Sequence, residues 1–153
     1  MTIHLRLAEP RDCVQLAPML ALLWPDSDAE EHAQDLRPKL RGEHPGAMPV
    51  VVLVAETEDA LLVGFMEAGL RSHADGCDPS RPVGYVEGWY VVEDFRKQGV
   101  GKRLLEMAEQ WARSQGCVEM ASDTWIDHEV SQRVHEALGF TVADRCVLYR
   151  KRL

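Results

Sequence analysis

Two acidic residues, Glu87 and Asp123, are the side chains best suited by type and position to proton transfer. Glu87 shares the alternating pattern of a predicted strand, which places it on one face with large apolar side chains: Val83, Tyr85, Trp89 and Val91. Asp123 ends the predicted strand 118–123. A carboxylate on an apolar face must be paired or open to a cleft, and either carboxylate could act as a general base. An ion pair for Glu87 and a helix cap for Asp123 are the structural alternatives.

A basic turn joins the strand 83–92 to the next predicted helix. It contains two glycines and four basic side chains: Gly99, Gly101, Arg96, Lys97, Lys102 and Arg103. The first turn of a helix presents backbone N–H groups that lack acceptors, together with the positive end of the helix dipole, and both bind phosphate groups. Glycine lets the backbone approach an anion closely. The turn therefore predicts a pyrophosphate site, and the alternative is an ordinary connection with solvated basic side chains.

Hydrophobic periodicity predicts an α+β fold with a mixed sheet, in a single domain that spans residues 1–153. A helix capped by Asp12 runs to Pro25, and an acidic loop from residue 26 leads into a second helix that ends near residue 42. Further helices are predicted over residues 100–116 and 130–138. The predicted strands are 3–7, 49–55, 61–70, 83–92, 118–123, 140–143 and 146–152.

Composition limits the classes of partner. The chain has 25 acidic and 17 basic residues, with a net charge of -8. Nucleic-acid binding needs a basic surface, so nucleic acid is not an expected partner, whereas an acidic cleft attracts cations. No apolar run approaches the roughly 18 residues of a membrane span, and no signal peptide is indicated. The four cysteines form no CxxC pair, which favours reduced thiols and a cytoplasmic location.

These features resemble the GNAT superfamily of N-acetyltransferases. Residues 96–101 fit its Q/R-x-x-G-x-G/A loop, and the Leu-Gly-Phe at 138–140 fits the end of its second conserved helix. The resemblance implies a mostly antiparallel central sheet, flanked by about four helices, with splayed central strands that hold acetyl-CoA as co-substrate. It also implies a set of residues on the strand and the loop that bind acetyl-CoA: Tyr90, Val91, Val92, Arg96, Lys97, Gln98, Gly99, Val100, Gly101 and Lys102.

Within this superfamily, several segments resemble the aminoglycoside 6'-N-acetyltransferases: residues 24–26, 75–78, 86–88, 120–124 and 149–152. The resemblance implies that a cationic aminoglycoside is bound by an aromatic wall and four carboxylates: Trp24, Asp26, Asp78, Glu87 and Asp123. It implies that Asp123 accepts the proton of the amine, with Glu87 as a second candidate. Tyr149 would lie near the thioester sulfur, and its alternative role is a core-facing aromatic of a strand.

Two histidines depart from the superfamily pattern. His128 stands where many members have an Asn, and His135 stands where many have a Tyr that acts as general acid. His128 is kept as a candidate for contact with coenzyme A. His135 could donate a proton, and its alternative is a core or surface histidine. The spacing of these two residues suits no metal ion and no third ligand is evident, so no metal is expected.

The resemblance implies direct transfer of an acetyl group from acetyl-CoA to the 6'-amine of an aminoglycoside in a ternary complex. Two other functions stay open. The same carboxylates would serve an acetyltransferase of a polyamine or other small cationic metabolite, and the fold would permit a non-catalytic module that binds acyl-CoA or cations. Related enzymes are commonly homodimers, so a homodimer is expected by resemblance.

Overall fold

The computed structural model describes residues 1–46 and 48–153. Over these residues the chain forms five strands and four helices. In chain order they are β1 Ile3–Leu7, α1 Cys13–Leu23, α2 Ala29–Leu40, β2 Val50–Thr57, β3 Leu62–Arg71, β4 Val83–Val91, α3 Val100–Ser114, β5 Met120–Ser122 and α4 Glu129–Ala137. Short 3₁₀ turns, Pro10–Asp12 and Glu93–Phe95, precede α1 and α3.

The strands form one sheet in the order β1-β2-β3-β4-β5. The first three pairings are antiparallel and the pairing of β4 with β5 is parallel. The predicted hairpin joins β2 and β3 through a tight turn, in which Thr57 accepts a backbone bond from Ala60. The mixed, mostly antiparallel sheet and the α+β class are therefore confirmed.

Helices cover both faces of the sheet. One core cluster combines the buried stripe of α3 with one face of β2, β3 and β4, and a second combines α1 and α2 with the other face. In α3 the stripe is Val100, Leu104, Leu105, Ala108 and Ala112, whose spacing of three to four residues aligns them on one side of a helix. The sheet is therefore buried on both sides, and β4 lies between the two layers of helices.

The entry into α2 uses the acidic segment that the sequence placed in a loop. Asp28 accepts a hydrogen bond from the Glu31 N–H at 2.9 Å, and Glu31 accepts one from the Asp28 N–H at 3.1 Å. This capping box satisfies two N–H groups at the helix start. Asp12, predicted to cap α1, makes no such bond to that helix. It accepts hydrogen bonds from Arg6 and from the N–H of Glu9 instead.

The prediction of two C-terminal strands, over residues 140–143 and 146–152, is wrong. Residues 141–153 form no strand, and the side chains of Val147 and Tyr149 are 70% and 92% exposed. Alternating apolar residues indicate a strand only where a neighbouring strand supplies hydrogen bonds and a face to cover. No strand in the described part of the chain pairs with this segment.

None of the helices among residues 1–46 and 48–153 is long and apolar enough to cross a membrane.

Candidate active site

A gap opens between β4 and β5. The two strands pair only through Gly84 with Met120, Tyr85 with Ala121 and Val86 with Ser122. β5 then ends, whereas β4 continues to Val91. The backbone of residues 87–91 therefore has no partner strand on the β5 side among the described residues. This divergence confirms the splayed strands expected from the sequence.

A β-bulge places Glu87 at the edge of this gap. On β3, Glu67 pairs with Gly88 and Ala68 pairs with Val86, so Glu87 is the extra residue of β4. A bulge reverses the alternation of side chains along its strand. The sequence predicted one regular face from Tyr85 through Glu87 to Trp89, and the bulge interrupts that face after Glu87.

The contacts on each side of the bulge show this reversal. Gly84 lies against Ala112 of α3, so Tyr85 faces away from α3, whereas Trp89 packs beside Gly101 at the start of α3. Tyr85 and Trp89 thus lie on opposite faces of the sheet. Glu87 lies on the face that carries Tyr85, where both contact Arg71, and the reversal affects the residues that follow it.

A continuous series of contacts links the two candidate carboxylates. Glu87 accepts two hydrogen bonds from Arg71, at 2.9 and 2.8 Å, and the Arg71 guanidinium carbon lies 3.4 Å from the centre of the Tyr85 ring. The Tyr85 hydroxyl donates to Oδ2 of Asp123 at 2.6 Å. The proposed alternative of an ion pair for Glu87 is therefore observed, but the pair stays partly open, with side-chain exposures of 43% for Arg71 and 31% for Glu87.

Asp123 is not the cap of α4. The helix begins at Glu129 and His128 occupies the N-cap position, so the carboxylate lies well outside the first turn. Its Oδ2 is held by Tyr85, whereas Oδ1 accepts no hydrogen bond from any residue that the structure describes. The helix-cap alternative is therefore excluded, and one oxygen of Asp123 has no donor among the described residues.

The electrostatics of this series favour a protonated Tyr85. Burial and the hydrogen bond to Asp123 raise the pKa of Tyr85 well above its usual range. The hydrogen bonds from Arg71 to Glu87 raise the pKa of the guanidinium above its ordinary value. Both shifts favour the forms that make these contacts: the protonated phenol as donor to Asp123 and the cationic guanidinium as partner of Glu87.

The loop after β4 has the backbone shape of an anion site. Lys97 and Gly99 adopt positive φ angles of 59° and 80°, and Gly99 is the N-cap of α3. The first helical bond runs from the Arg103 N–H to the Gly99 carbonyl, so the N–H groups of residues 100–102 have no intrahelical acceptor. These donors point out of the helix start, where an anion can accept them.

Side chains brace the same loop against β4. Arg96 donates through Nε to the Val91 carbonyl at 2.7 Å and lies 5.7 Å from the centre of the Tyr90 ring. Gln98 donates to the Asp94 carbonyl at 2.8 Å. These contacts fix the loop without occupying the N–H groups of the helix start.

A comparison with known protein families decides the family. The model of the acetyltransferase (GNAT) family matches residues 15–140, a range that includes the β4–β5 gap and the loop before α3. The chain belongs to the GNAT family.

Relatives extend along almost the whole chain. It is 40% identical, over 97% of its own length and 95% of the relative, to an aminoglycoside N(6')-acetyltransferase type 1 of Klebsiella aerogenes. Identity to the protein of the same name from Serratia marcescens is 42%, over 86% of each chain. The structure of AAC(6')-Iy in complex with the bisubstrate analogue CoA-S-monomethyl-acetylneamine superposes with a TM-score of 0.88, at 32% identity and full coverage of both chains.

The predicted substrate-binding residues differ in how close they lie to the bulge of β4. Trp24, at the end of α1, lies directly over Gly88 and is 39% exposed. It therefore stands beside the bulge that carries Glu87. Asp26 is exposed in the following turn, and the structure records no contact between it and Glu87 or Asp123.

Asp78 is held within its own loop. Its Oδ1 accepts from the N–H and the hydroxyl of Ser80, at 2.9 and 2.6 Å, and these bonds lower the pKa of the carboxyl below its ordinary value. The Asp78 N–H donates to Glu119, just before β5. Asp78 is therefore ionised and anchored near the start of β5, whereas Asp123 follows its end.

Two further predicted residues lie apart from the linked carboxylates. His128 is exposed at the start of α4 and forms no side-chain cap bond. Tyr149 is 92% exposed in the C-terminal segment. The single chain does not bring either side chain into contact with Glu87 or Asp123 within the residues described.

Sequence reasoning missed three side chains of the site. Arg71 and Tyr85 join Glu87 to Asp123, and Ser122 lies within 2.8 Å of Nε2 of His135. Nδ1 of His135 lies 2.8 Å from the Ser131 carbonyl, which can only accept, so the neutral imidazole has its proton on Nδ1 and Nε2 accepts from Ser122.

The one sequence signal that could have indicated Tyr85 as a site residue was its position two residues before Glu87. No pattern in the sequence pairs Tyr85 with Asp123, since 38 positions separate them.

Proposed function

We propose that this protein transfers the acetyl group of acetyl-CoA to the 6'-amine of aminoglycoside antibiotics. The observation that carries the proposal is the pair of linked carboxylates at the mouth of the β4–β5 gap, because a polycationic amine needs both ammonium partners and a proton acceptor. The names of relatives that match almost the full length of the chain support the same substrate. We propose that residues 1–153 form a single N-acetyltransferase domain.

Acetyl-CoA would bind at the loop and along the open edge of β4. The N–H groups at the start of α3 would receive the pyrophosphate, with Arg96, Lys97, Gln98 and Lys102 around it. The backbone of Tyr90 and Val91 belongs to the part of β4 that β5 leaves unpaired, and together with the following Val92 it would pair with the pantetheine. This placement directs the thioester into the gap, towards Glu87 and Asp123.

The aminoglycoside would bind on the side of Trp24. Its ammonium groups would meet Glu87, Asp26 and Asp78, and a sugar ring would lie against the indole. Glu87 already holds a guanidinium, Arg71, which indicates that this carboxylate accepts a cation at the mouth of the gap. Because that ion pair is partly exposed, it is worth only about 0.2–1 kcal/mol and opposes substrate binding weakly.

The transfer itself would be direct. The 6'-ammonium group gives one proton to Asp123, and the neutral amine attacks the thioester carbonyl while both substrates are bound. The N–C bond forms and the C–S bond breaks; the nitrogen gives its second proton to solvent water, and the thiolate of coenzyme A takes up one from a donor that water then reprotonates. Tyr149 is the proposed donor to that sulfur. Holding the two reactants in attack geometry supplies much of the rate.

The test is release of coenzyme A across a panel of acceptors. We expect turnover with aminoglycosides that carry a 6'-amine and none with analogues that carry a 6'-hydroxyl group, and NMR of the product should place the acetyl group on N6'. Turnover with polyamines alone would contradict the proposed substrate. Binding of acetyl-CoA without turnover of any acceptor would favour a non-catalytic module.

We further propose a cytoplasmic homodimer. The four cysteines are free, which suits a reducing compartment. Exposed apolar side chains are concentrated around α4 and the C-terminal segment: Trp125, Ile126, Val130, Val134, Val142, Val147 and Leu148. The C-terminal segment is also basic in an acidic chain, with Arg145, Arg150, Lys151 and Arg152 against Asp144, so it suits the surface of a second copy. Sedimentation of the full chain should give a dimer, and a monomer at micromolar concentration would contradict the proposal.

A further inference from the structure

Tyr85 is the residue in direct hydrogen-bond contact with the proposed proton acceptor. Its hydroxyl donates to Oδ2 of Asp123 at 2.6 Å, a short distance typical of an O–H donor and an ionised carboxylate. The Tyr85 side chain is only 7% exposed. The register of β4 and β5 places Tyr85 beside Ala121, two residues before Asp123, so the phenol reaches along the short parallel strand to the residue that follows it.

The Tyr85 ring is itself fixed from the open side. Arg71 covers the ring, with its guanidinium carbon 3.4 Å from the ring centre, and Glu87 holds that guanidinium with two hydrogen bonds. A cation over an aromatic face is attracted by the ring. The orientation of the phenol is therefore determined by the sheet on one side and by a bidentate ion pair on the other.

We infer that Tyr85 is a positioning residue for acetyl transfer: its hydroxyl holds Oδ2 of Asp123 and thereby presents Oδ1 to the incoming amine. This inference rests on the proposed function, because Asp123 must be the proton acceptor. Without the phenol, Asp123 would lie in an exposed segment between β5 and α4 with no donor from the described residues to fix it. The carboxylate would then rotate and the proton transfer geometry would be lost for part of the time.

Burial and the charges around the phenol disfavour its ionisation. Asp123 and Glu87 disfavour the phenolate, Arg71 favours it, and burial together with the Asp123 hydrogen bond raises the pKa of Tyr85. His135 on α4 bonds to Ser122, next to Asp123 in the chain. Tyr85 therefore acts through Asp123 and does not exchange a proton with the substrate.

The experiment is a double-mutant cycle with Tyr85→Phe and Asp123→Asn, measured by acetylation of an aminoglycoside. Tyr85→Phe keeps the ring, its packing and its contact with Arg71, and should lower kcat by about 10- to 100-fold with the KM for acetyl-CoA unchanged. In the Asp123→Asn background the same substitution should have no further effect on kcat, because its action passes through the carboxylate. Thr57→Val, which removes another buried hydroxyl group far from the gap, should leave kcat at the wild-type value.

A spectroscopic measurement tests the contact without turnover. With the three tyrosines labelled at ¹³Cζ and Tyr85 assigned by the Phe variant, the phenol should titrate well above its ordinary range in the wild type and at lower pH in Asp123→Asn. A wild-type kcat in folded Tyr85→Phe, or additive losses in the cycle, would overturn the positioning role. If no aminoglycoside is acetylated, the proposed function fails instead, and the tyrosine titration still reports whether Tyr85 and Asp123 are bonded.

Discussion

The indole of Trp24 lies directly against the backbone of Gly88, so that a Cβ atom on Gly88 would come within 2.5 Å of Trp24 Cη2. Gly88 follows the bulge residue Glu87, and its lack of a side chain lets the end of α1 close over β4. The aromatic wall of the proposed acceptor pocket and the carboxylate at its edge are thus set by adjacent residues of one strand.

We expect Gly88→Ala to displace the indole and to weaken binding of the aminoglycoside. The added methyl group meets a rigid ring, and overpacking of this kind costs about 1–3 kcal/mol. The KM for the drug should rise by about 10-fold, which corresponds to about 1.4 kcal/mol, while the KM for acetyl-CoA stays constant. Gly46→Ala is the control, because a Cβ atom there meets nothing within 4 Å. Unchanged steady-state constants in Gly88→Ala would show that Trp24 forms no part of the acceptor pocket.

The loop before α3 offers a matched pair of glycines. Gly99 and Gly116 have φ angles of 80° and 87°, and neither has an atom within 4 Å of a built Cβ. Valine at either position should cost about 1–3 kcal/mol of backbone strain and lower the melting temperature to a similar extent. Gly99→Val alone should raise the KM for acetyl-CoA, because its side chain would stand at the helix start that receives the pyrophosphate. Equal KM values for the two variants would argue against the loop as the binding site.

The order of the helices and of the first five strands was predictable because burial on one face leaves a clear period in the sequence. The stripe of α3 is an example; β2, which is buried on both faces, was predictable from its continuous β-branched run instead. Glu87 shares the face of Tyr85 as predicted, but Trp89 lies on the opposite face, since a bulge adds one residue and reverses the alternation without changing composition. The site residue Tyr85 could be read only as an apolar strand position. Its hydrogen bond to Asp123 depends on the register of two strands far apart in the chain.

The prediction of strands in the C-terminal segment was wrong for a different physical reason. Val147 and Tyr149 alternate as in a strand, but a strand needs an edge to pair with, and pairing is a property of the whole assembly. In the single chain these side chains remain exposed. The local pattern therefore predicted the wrong secondary structure.

Binding of the aminoglycoside should weaken with ionic strength. Several carboxylates would meet several ammonium groups at a partly exposed site, and the Debye length falls from about 10 Å at 0.1 M salt to about 3 Å at 1 M. With saturating acetyl-CoA, the KM of a polycationic aminoglycoside should rise more steeply with NaCl than that of an acceptor analogue with a single amine. Parallel slopes for the two acceptors would contradict an acidic pocket.

The stability of the fold should fall in acid through Asp12. Burial disfavours the charged form of this side chain, but hydrogen bonds from Arg6 and from the Glu9 N–H outweigh burial, and the net effect lowers the pKa of Asp12 below its ordinary value. The folded state therefore binds the proton less readily than the unfolded state. The stabilising contribution of Asp12 is complete above the ordinary pKa, near 4, and is lost as the pH falls further.

Urea unfolding at a series of pH values measures this contribution. The free energy of unfolding should decline below about pH 4 in the wild type and decline less in Asp12→Asn. At neutral pH, Arg6→Ala should cost about 3 kcal/mol, because it leaves the Asp12 charge buried and unpaired. An Arg6→Ala variant as stable as the wild type would exclude this ion pair as a main contributor.

Replacement of Asp123 by Asn tests the chemistry itself. Asn keeps the size of the side chain and can still accept the Tyr85 hydroxyl, but it has no basic oxygen for the amine's proton. We expect kcat to fall by about 10²–10⁴-fold, the usual contribution of general base catalysis. A rise in KM with constant kcat would mean that Asp123 only binds an ammonium group.

Because α4 begins at Glu129 with His128 as its N-cap, loss of a helix cap cannot account for a lower rate. Asp127→Asn, an exposed change in the same segment, should leave kcat unaltered. A wild-type kcat in Asp123→Asn would exclude its role as base and leave Glu87 or water as the destination of the proton.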